Sequence, residues 1–308
     1  MPMGSRDDVL AGGGTGGTTS SPMAFPIPVE ELGTVSIVPN GSFEAGSYQT
    51  FVLTYVAGKF GIDDSGSMRV CFRFASDQTR PQFEDPKGPN YTTIEASNNA
   101  VLTYHYDPKG NVRPWDRTLY IKVVRGFLRE GDKITITFGD RSGGSPGMRL
   151  QTFCEDSYEF HTLIDPIATY CYQPMPVQPV IKIIPGKPDR YLAVAPTIRA
   201  IDESFSIKFK GEDKWGNPSD QCDIQLYPHA SHPIKNLPNM VSLKPGEFFG
   251  VIEGLLVADA ADLYIDFLDD AGVVMCRTNP IRIEPAPLSR HFWGDLHGQS
   301  EETIGTGS

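Results

Sequence analysis

Three side chains near the end of the chain, Asp295, His297 and Gln299, have the types and the spacing of a metal site. Residues 292–296 form a short apolar stretch that predicts a β-strand entering a polar turn. Successive side chains of a strand alternate between its two faces, so these three are expected to point the same way. A carboxylate, an imidazole and an amide on one face can bind a cation or handle a proton.

Residues 292–300, Phe-Trp-Gly-Asp-Leu-His-Gly-Gln-Ser, resemble the opening metal motif of the PHP (polymerase and histidinol phosphatase) metallohydrolases. More narrowly, they resemble a large, mostly bacterial group of uncharacterised PHP-like proteins in which a β-rich region precedes the motif. The resemblance implies a (β/α) barrel that holds a divalent metal (zinc, manganese or iron) at the C-terminal ends of its strands. It implies His297 as a metal ligand and Asp295 as a ligand or catalytic residue that orients the histidine. Gln299 replaces the usual histidine, and its amide oxygen is a weaker ligand for borderline metals.

A (β/α) barrel takes roughly 250 residues, and the sequence continues only to Ser308. We therefore expect an N-terminal accessory region of a longer metal-dependent hydrolase, inactive alone, that ends in the first strand of a missing barrel. Its small-molecule substrate stays open between phosphoesters and amides. The alternative is a non-catalytic β-sandwich module for binding or protein interaction, in which the motif is an ordinary terminal strand.

Composition favours a mainly β protein. The chain has 308 residues, enough for about two domains, and it is rich in glycine (31) and proline (26). Short β-branched and aromatic runs lie between these breakers, and long helical periodicity is hard to find. Such a pattern is typical of sandwiches, so we predict two β-sandwich, immunoglobulin-like domains before the barrel strand.

Four segments follow from the same pattern. Residues 1–24 are Gly/Ser/Thr-rich and predict a disordered tail, and residues 25–175 predict a β-sandwich-like domain. The proline-rich run 172–179 predicts a stiff linker, after which residues 176–288 form an immunoglobulin-like sandwich and residues 289–308 begin the barrel. Within the second sandwich, Asp213 to Pro218 resembles the Asp-x-x-Gly-Asn-Pro turn common in bacterial immunoglobulin-like modules.

Charge and cysteine usage limit the partners and the compartment. The net charge of −11 disfavours nucleic acid and anionic membrane surfaces, and no apolar run is long enough to span a bilayer. The first residues lack the apolar core of a secretory signal, and the five scattered cysteines fit reduced, mostly buried thiols. We expect a cytoplasmic protein, for which homo-oligomer contacts through the β domains stay open.

Other histidines are weaker candidates for chemistry. His229 and His232 form an H-x-x-H pair, but the neighbouring prolines predict an ordinary loop. His105 and His161 each alternate with apolar neighbours and are predicted to be packed or edge histidines rather than ligands.

Overall fold

The computed structural model describes residues 27–289 together with Phe292 and Gly294. Its regular structure is almost all β, and the mainly β class expected from composition is confirmed. One short 3₁₀ helix, Val29–Glu31, precedes the strands. In this part of the chain no helix has the length and apolarity needed to cross a bilayer.

The strands fall into two groups that surround separate hydrophobic cores. We call β1–β14 the N-terminal unit. Its strands are β1 (Gly33–Val38), β2 (Ser42–Glu44), β3 (Tyr48–Gln49), β4 (Phe51–Ala57), β5 (Ser67–Phe72), β6 (Thr92–Ala96), β7 (Val101–Asp107), β8 (Arg117–Arg125), β9 (Lys133–Phe138), β10 (Met148–Arg149), β11 (Glu155–Glu159), β12 (His161–Asp165), β13 (Gln173–Pro174) and β14 (Val180–Ile184).

Two antiparallel sheets enclose most of the N-terminal core, in the strand orders β1-β4-β9-β6 and β13-β12-β5-β8-β7. In β4 every second residue is buried, from Phe51 to Ala57, so that one face of the sheet lies in the core. Phe51, Phe72 and Phe138 each pack against Phe160, with ring centroids 5.6–5.7 Å apart. A third sheet, β11-β14-β2, includes a parallel pair between β14 and β2.

The C-terminal unit is formed by the remaining strands. They are β15 (Arg190–Val194), β16 (Ile198–Ala200), β17 (Phe205–Glu212), β18 (Ile224–Ala230), β19 (Val241–Leu243), β20 (Gly250–Leu255), β21 (Ala261–Leu263), β22 (Ile265–Leu268), β23 (Val274–Arg277) and β24 (Ile281–Glu284). They form the sheets β15-β17-β20, β16-β24-β21 and β19-β18-β22-β23. Phe209 and Phe267 stack across the core with centroids 5.5 Å apart.

The chain passes between the units later than the sequence predicted. Val180–Ile184 was expected to open the second sandwich, but it pairs with β2 and β11 of the N-terminal unit. The reason is its alternation, which places Ile181 and Ile183 in the first core. The predicted linker at 172–179 is also part of that unit, because β13 pairs with β12 and Met175 is buried. Residues 185–189 make the connection.

Two other expectations keep their status as predictions. The structure confirms only the mainly β class, so the immunoglobulin-like character of the two sandwiches stays a prediction. The barrel strand at 289–308 and the tail at 1–24 fall outside the described residues, except for Ser289, Phe292 and Gly294.

Candidate functional site

The predicted metal ligands Asp295, His297 and Gln299 lie outside the described residues. Of their motif, only Phe292 and Gly294 are described, and both are exposed. Within residues 27–289, no group of three or more His, Cys, Asp or Glu side chains is arranged to hold a metal ion. His229 is an exposed residue of strand β18, not of a loop as predicted, and His232 follows it in a bend.

The outward face of β5 and β12 brings together three groups that catalytic sites use. Cys71 pairs with His161 across the two strands, and Nδ1 of His161 lies 2.5 Å from Oε1 of Glu159. Trp115 stacks on the imidazole, with the ring centroids 4.7 Å apart. However, Cys71 is fully buried, and burial raises its pKa to about 11. A neutral, inaccessible thiol is not a nucleophile, so this group is structural.

Specific packing and hydrogen bonds join the two units around the turn that follows β17. Trp215 packs on Gly46 of the N-terminal unit, where an added Cβ would lie 2.5 Å from the indole. Its Nε1–H donates a hydrogen bond to the carbonyl oxygen of Ala45 at 3.0 Å. Asn217 donates from Nδ2 to the carbonyl of Thr152 at 2.9 Å. These contacts fix the relative position of the units.

Asp213 holds this turn in shape. Its carboxylate accepts hydrogen bonds from the backbone N–H groups of Gly186, Trp215 and Asn217 and from Nδ2 of Asn217, at 2.9–3.1 Å. Burial alone would raise the pKa of Asp213, but these hydrogen bonds outweigh it and lower the pKa below its ordinary value. The Asp-x-x-Gly-Asn-Pro pattern therefore serves to present Trp215 and Asn217 to the other unit.

Beside this interface lies a cleft of about 970 Å³. We define the cleft by strands β15 and β17 and the segment just before β20 on one side, and by residues of β2, β11 and β14 on the other. Four of its apolar side chains are exposed, namely Leu192, Val194, Phe248 and Phe249, whereas Phe209 and Ile183 are buried. Its volume lies at the upper end of the range of about 300–1,000 Å³ that is typical of ligand pockets.

The floor of the cleft departs from the usual pattern of a sheet surface. Strand β17 buries Ile207 and Phe209 and directs Lys208 outward. Val194 of β15, which is 62% exposed, lies opposite Lys208 in the cleft. Val251 of β20, on the other side of Lys208, is 39% exposed and lies beyond the cleft lining. An outward sheet face usually carries polar side chains. Apolar side chains grouped in a concavity instead mark a binding surface.

Most charges of the cleft are already paired. Lys182 lies 2.8 Å from Asp156, and Lys210 lies 2.8 Å from Glu212. Across the described residues, Lys208 has no carboxylate within 4 Å. It is therefore the cation of the cleft floor that is available to a ligand.

Cys154 lines the cleft and is exposed, contrary to the expectation that the cysteines are mostly buried. Cys171 is exposed as well, whereas Cys71 and Cys222 are buried. Burial and the nearby carboxylates of Asp213, Asp220 and Asp156 raise the pKa of Cys154 to about 11. This thiol stays protonated at neutral pH, so it is not an activated nucleophile.

Comparison with known proteins gives no family. No protein-family model and no curated protein matches the chain. Among solved structures, the chain aligns with InvD of Yersinia pseudotuberculosis at 14% identity and a TM-score of 0.34, covering 89% of this chain and 62% of that one. It aligns with the adhesin InvE of the same organism at 9% identity and a TM-score of 0.24, covering 83% and 59%. A collagen adhesin of S. aureus aligns at 7% identity and a TM-score of 0.19, covering 83% and 96%.

The chain therefore spans less than two thirds of the InvD and InvE chains with which it aligns. Similarity at these scores assigns neither a fold family nor a function.

Proposed function

We propose that the described part of the chain is a non-catalytic protein-interaction module, and that its cleft binds an extended polypeptide segment of a partner. One observation carries the proposal, namely the exposed apolar side chains that strand β15 and the segment before β20 place inside a concavity. Exposing them to water is unfavourable by about 25 cal/mol per Å². A ligand that buries these side chains recovers the same free energy per unit area.

The lining favours a polypeptide over a sugar or a nucleotide. Phe248 and Phe249 supply large aromatic surfaces but no hydrogen-bonding groups, and Leu192 and Val194 add aliphatic surface. Polar ligands such as sugars need several placed donors and acceptors. A peptide side chain of the Leu or Phe type needs only apolar contact, and aromatic anchors dominate such interfaces.

The charges of the cleft indicate which kind of partner segment fits. Lys208 lies among apolar side chains on the cleft floor and has no carboxylate within 4 Å among the described residues. Its aliphatic stem can lie against the apolar floor while its ammonium group receives a carboxylate. The segment that fits best carries large apolar side chains and one acidic residue.

Peptide selection tests this proposal. Peptides selected from a random library on the full chain should be rich in apolar and acidic residues. Their affinity, measured by calorimetry, should fall about 30-fold or more in the Phe248→Ser/Phe249→Ser variant, since removal of an aromatic anchor costs about 2 kcal/mol or more. Lys208→Gln should cost about tenfold.

The matched control is Val112→Ser, which changes a side chain that is 78% exposed outside the cleft. It should leave affinity unchanged. Selected peptides that bind the Phe248→Ser/Phe249→Ser variant as tightly as the unmodified chain would refute the cleft as the binding site.

Metal-dependent hydrolysis by a longer protein is a second proposal, supported by the sequence motif of Asp295, His297 and Gln299 alone. It concerns residues outside the described part, and the protein-interaction module does not depend on it. Elemental analysis of a longer gene product that contains the motif tests it, with His297→Ala as the comparison. Equal metal content in both forms would remove the argument for a metal site, and metal lost with His297 would support it.

A further inference from the structure

The outward face of sheet β13-β12-β5-β8-β7 carries a cluster of polar and aromatic side chains away from the cleft. In one row across the sheet, Arg69 of β5 pairs with Tyr120 of β8, which pairs with His105 of β7. In the next row, Ser67 pairs with Lys122. Because paired residues of antiparallel strands share a face, these side chains form one surface.

Arg69 is held in a fixed position on this surface. Its guanidinium carbon lies 3.7 Å from the centroid of the Tyr172 ring and 5.6 Å from that of Tyr120. One terminal nitrogen, Nη1, donates to Oδ1 of Asn111 at 3.3 Å. The Nε atom is out of contact with solvent and has no acceptor among the described residues. The side chain is therefore ordered, and part of its charge has been removed from water.

No carboxylate of the described residues lies within 4 Å of Arg69 or of Lys122, although many Lys and Arg side chains elsewhere in the described part of the chain form ion pairs. Asp165 is the register partner of Ser67, but its carboxylate accepts hydrogen bonds from the backbone N–H groups of Thr169 and Tyr170. Cations that are partly removed from water are normally paired. Arg69 and Lys122 have no carboxylate partner among the described residues, although the net charge of the chain is −11.

The tyrosine hydroxyls lie beside the two cations. The hydroxyl oxygens of Ser67 and Tyr172 are 2.7 Å apart, and the Tyr120 hydroxyl lies 3.5 Å from that of Ser67. Burial alone would raise the pKa of Tyr120, but the hydrogen bonds with Ser67 and Tyr172 and the charges of Lys122 and Arg69 outweigh it and lower the pKa. Burial raises the pKa of the neighbouring Tyr172 hydroxyl to about 12, so this hydroxyl stays protonated and can donate a hydrogen bond to a ligand.

We propose that Arg69, Lys122, Tyr120 and Tyr172 form a binding site for an oxyanion, either a carboxylate or a phosphate group. The guanidinium provides a planar donor, the ammonium group provides a second positive charge, and the hydroxyls provide neutral hydrogen bonds. All four side chains are partly exposed, so a ligand can reach them. The site is separate from the cleft and does not depend on the proposed function.

Nuclear magnetic resonance of the full chain with ¹³C-labelled tyrosine Cζ tests the site. Succinate and inorganic phosphate are the two probes, in a chloride-free buffer, and Tyr120→Phe and Tyr172→Phe assign the resonances. At least one probe should shift both resonances with saturation at a dissociation constant on the order of millimolar or below. The probe that saturates identifies the group as carboxylate or phosphate.

Variants that each remove one positive charge distinguish a specific anion site from non-specific electrostatic attraction of the probe. Arg69→Gln should weaken binding about tenfold or more, because it removes charge-assisted hydrogen bonds, and Arg69→Lys should bind with intermediate affinity. Arg125→Gln removes an exposed cation at the end of β8 and should leave binding unchanged. If Arg69→Gln does not fold, Lys122→Gln provides the comparison. Absence of a saturable shift with both probes would overturn the proposal, as would equal weakening by Arg125→Gln.

Discussion

Replacement of Trp215 by alanine should release the two units from each other. Trp215 projects from the turn after β17 and contacts Gly46 and Ala45 of the N-terminal unit. The substitution removes the indole packing and the 3.0 Å hydrogen bond to the Ala45 carbonyl. The Asp213 hydrogen bonds that shape the turn reach the backbone and Asn217, so they remain in the variant.

The size of the effect follows from burial. Trp215 is 42% exposed, so roughly 115 Å² of a side chain of about 200 Å² is buried. At about 25 cal/mol per Å² this corresponds to about 3 kcal/mol. The hydrogen bond adds about 1 kcal/mol, and regained side-chain freedom offsets about 1 kcal/mol. Because part of this area is buried against Lys214 of the same turn, we expect a loss of at most about 3 kcal/mol in the free energy that holds the units together.

Two measurements check this expectation. Differential scanning calorimetry should resolve separate unfolding transitions in Trp215→Ala where the unmodified chain unfolds more cooperatively. Small-angle X-ray scattering should show a larger radius of gyration. Trp215→Phe retains part of the packing and should lose less. Val273→Ala changes a side chain of the C-terminal unit that is 57% exposed; it is the control and should resemble the unmodified chain.

A double-mutant cycle with Gly46→Ala makes the test sharper. Alone, Gly46→Ala should also separate the units, because the new Cβ would lie 2.5 Å from the indole, and Gly46 has a φ of +67°. Once Trp215 is removed, the steric part of that cost disappears, so the two effects should be less than additive. Strict additivity, or a Trp215→Ala variant with unchanged calorimetry and scattering, would refute the assigned contact.

Two further predictions concern ionisable groups. The pKa of Asp213 is lowered in the folded state. The ionised carboxylate therefore contributes fully to the free energy of unfolding above the unfolded-state pKa of about 3.9. This contribution is lost as the pH falls through the lower, folded-state pKa. Asp213→Asn should therefore reduce the free energy of unfolding by about 1–3 kcal/mol at pH 7 and by progressively less below pH about 4, as urea titrations at each pH can measure; a constant difference would contradict the assignment. In the native chain, thiol-specific labelling should reach Cys171 first and Cys154 slowly, with a rate that rises toward pH about 11, and it should not reach Cys71, which is fully buried. Mass spectrometry of labelled peptides, with Cys171→Ser as control, checks the order, and rapid labelling of Cys71 without denaturant would show that its burial is wrong.

Strand positions were predictable where alternation was strong. Polar and apolar side chains alternate in residues 133–138 and 205–210, which predicts a strand at each place, and these residues lie in β9 and β17. The sequence gives little signal for the short strand Thr92–Ala96, because it follows a polar, proline-containing segment and pairs with the distant strand β9. A propensity pattern does not record which distant strand satisfies its hydrogen bonds.

The candidate sites were largely beyond sequence reasoning. The Asp213 to Pro218 turn was recognised as a turn, but its contact with Gly46 joins residues far apart in the chain. The cleft combines Phe248 and Phe249 with strands of both units, and no short motif marks it. The one available signal was the apolar side chains of Leu192 and Val194 at alternate positions of a strand, which resemble core positions.

The amino-acid sequence by itself determined the mainly β class, most strand positions and the turn at Asp213, because each depends on interactions between neighbours along the chain. Tertiary structure decided that β14 belongs to the N-terminal unit, that Cys71 is buried and that Arg69 has no carboxylate partner among the described residues. Those properties depend on which faces meet in three dimensions. Burial and charge pairing are set by contacts between distant residues, and local periodicity does not specify those contacts.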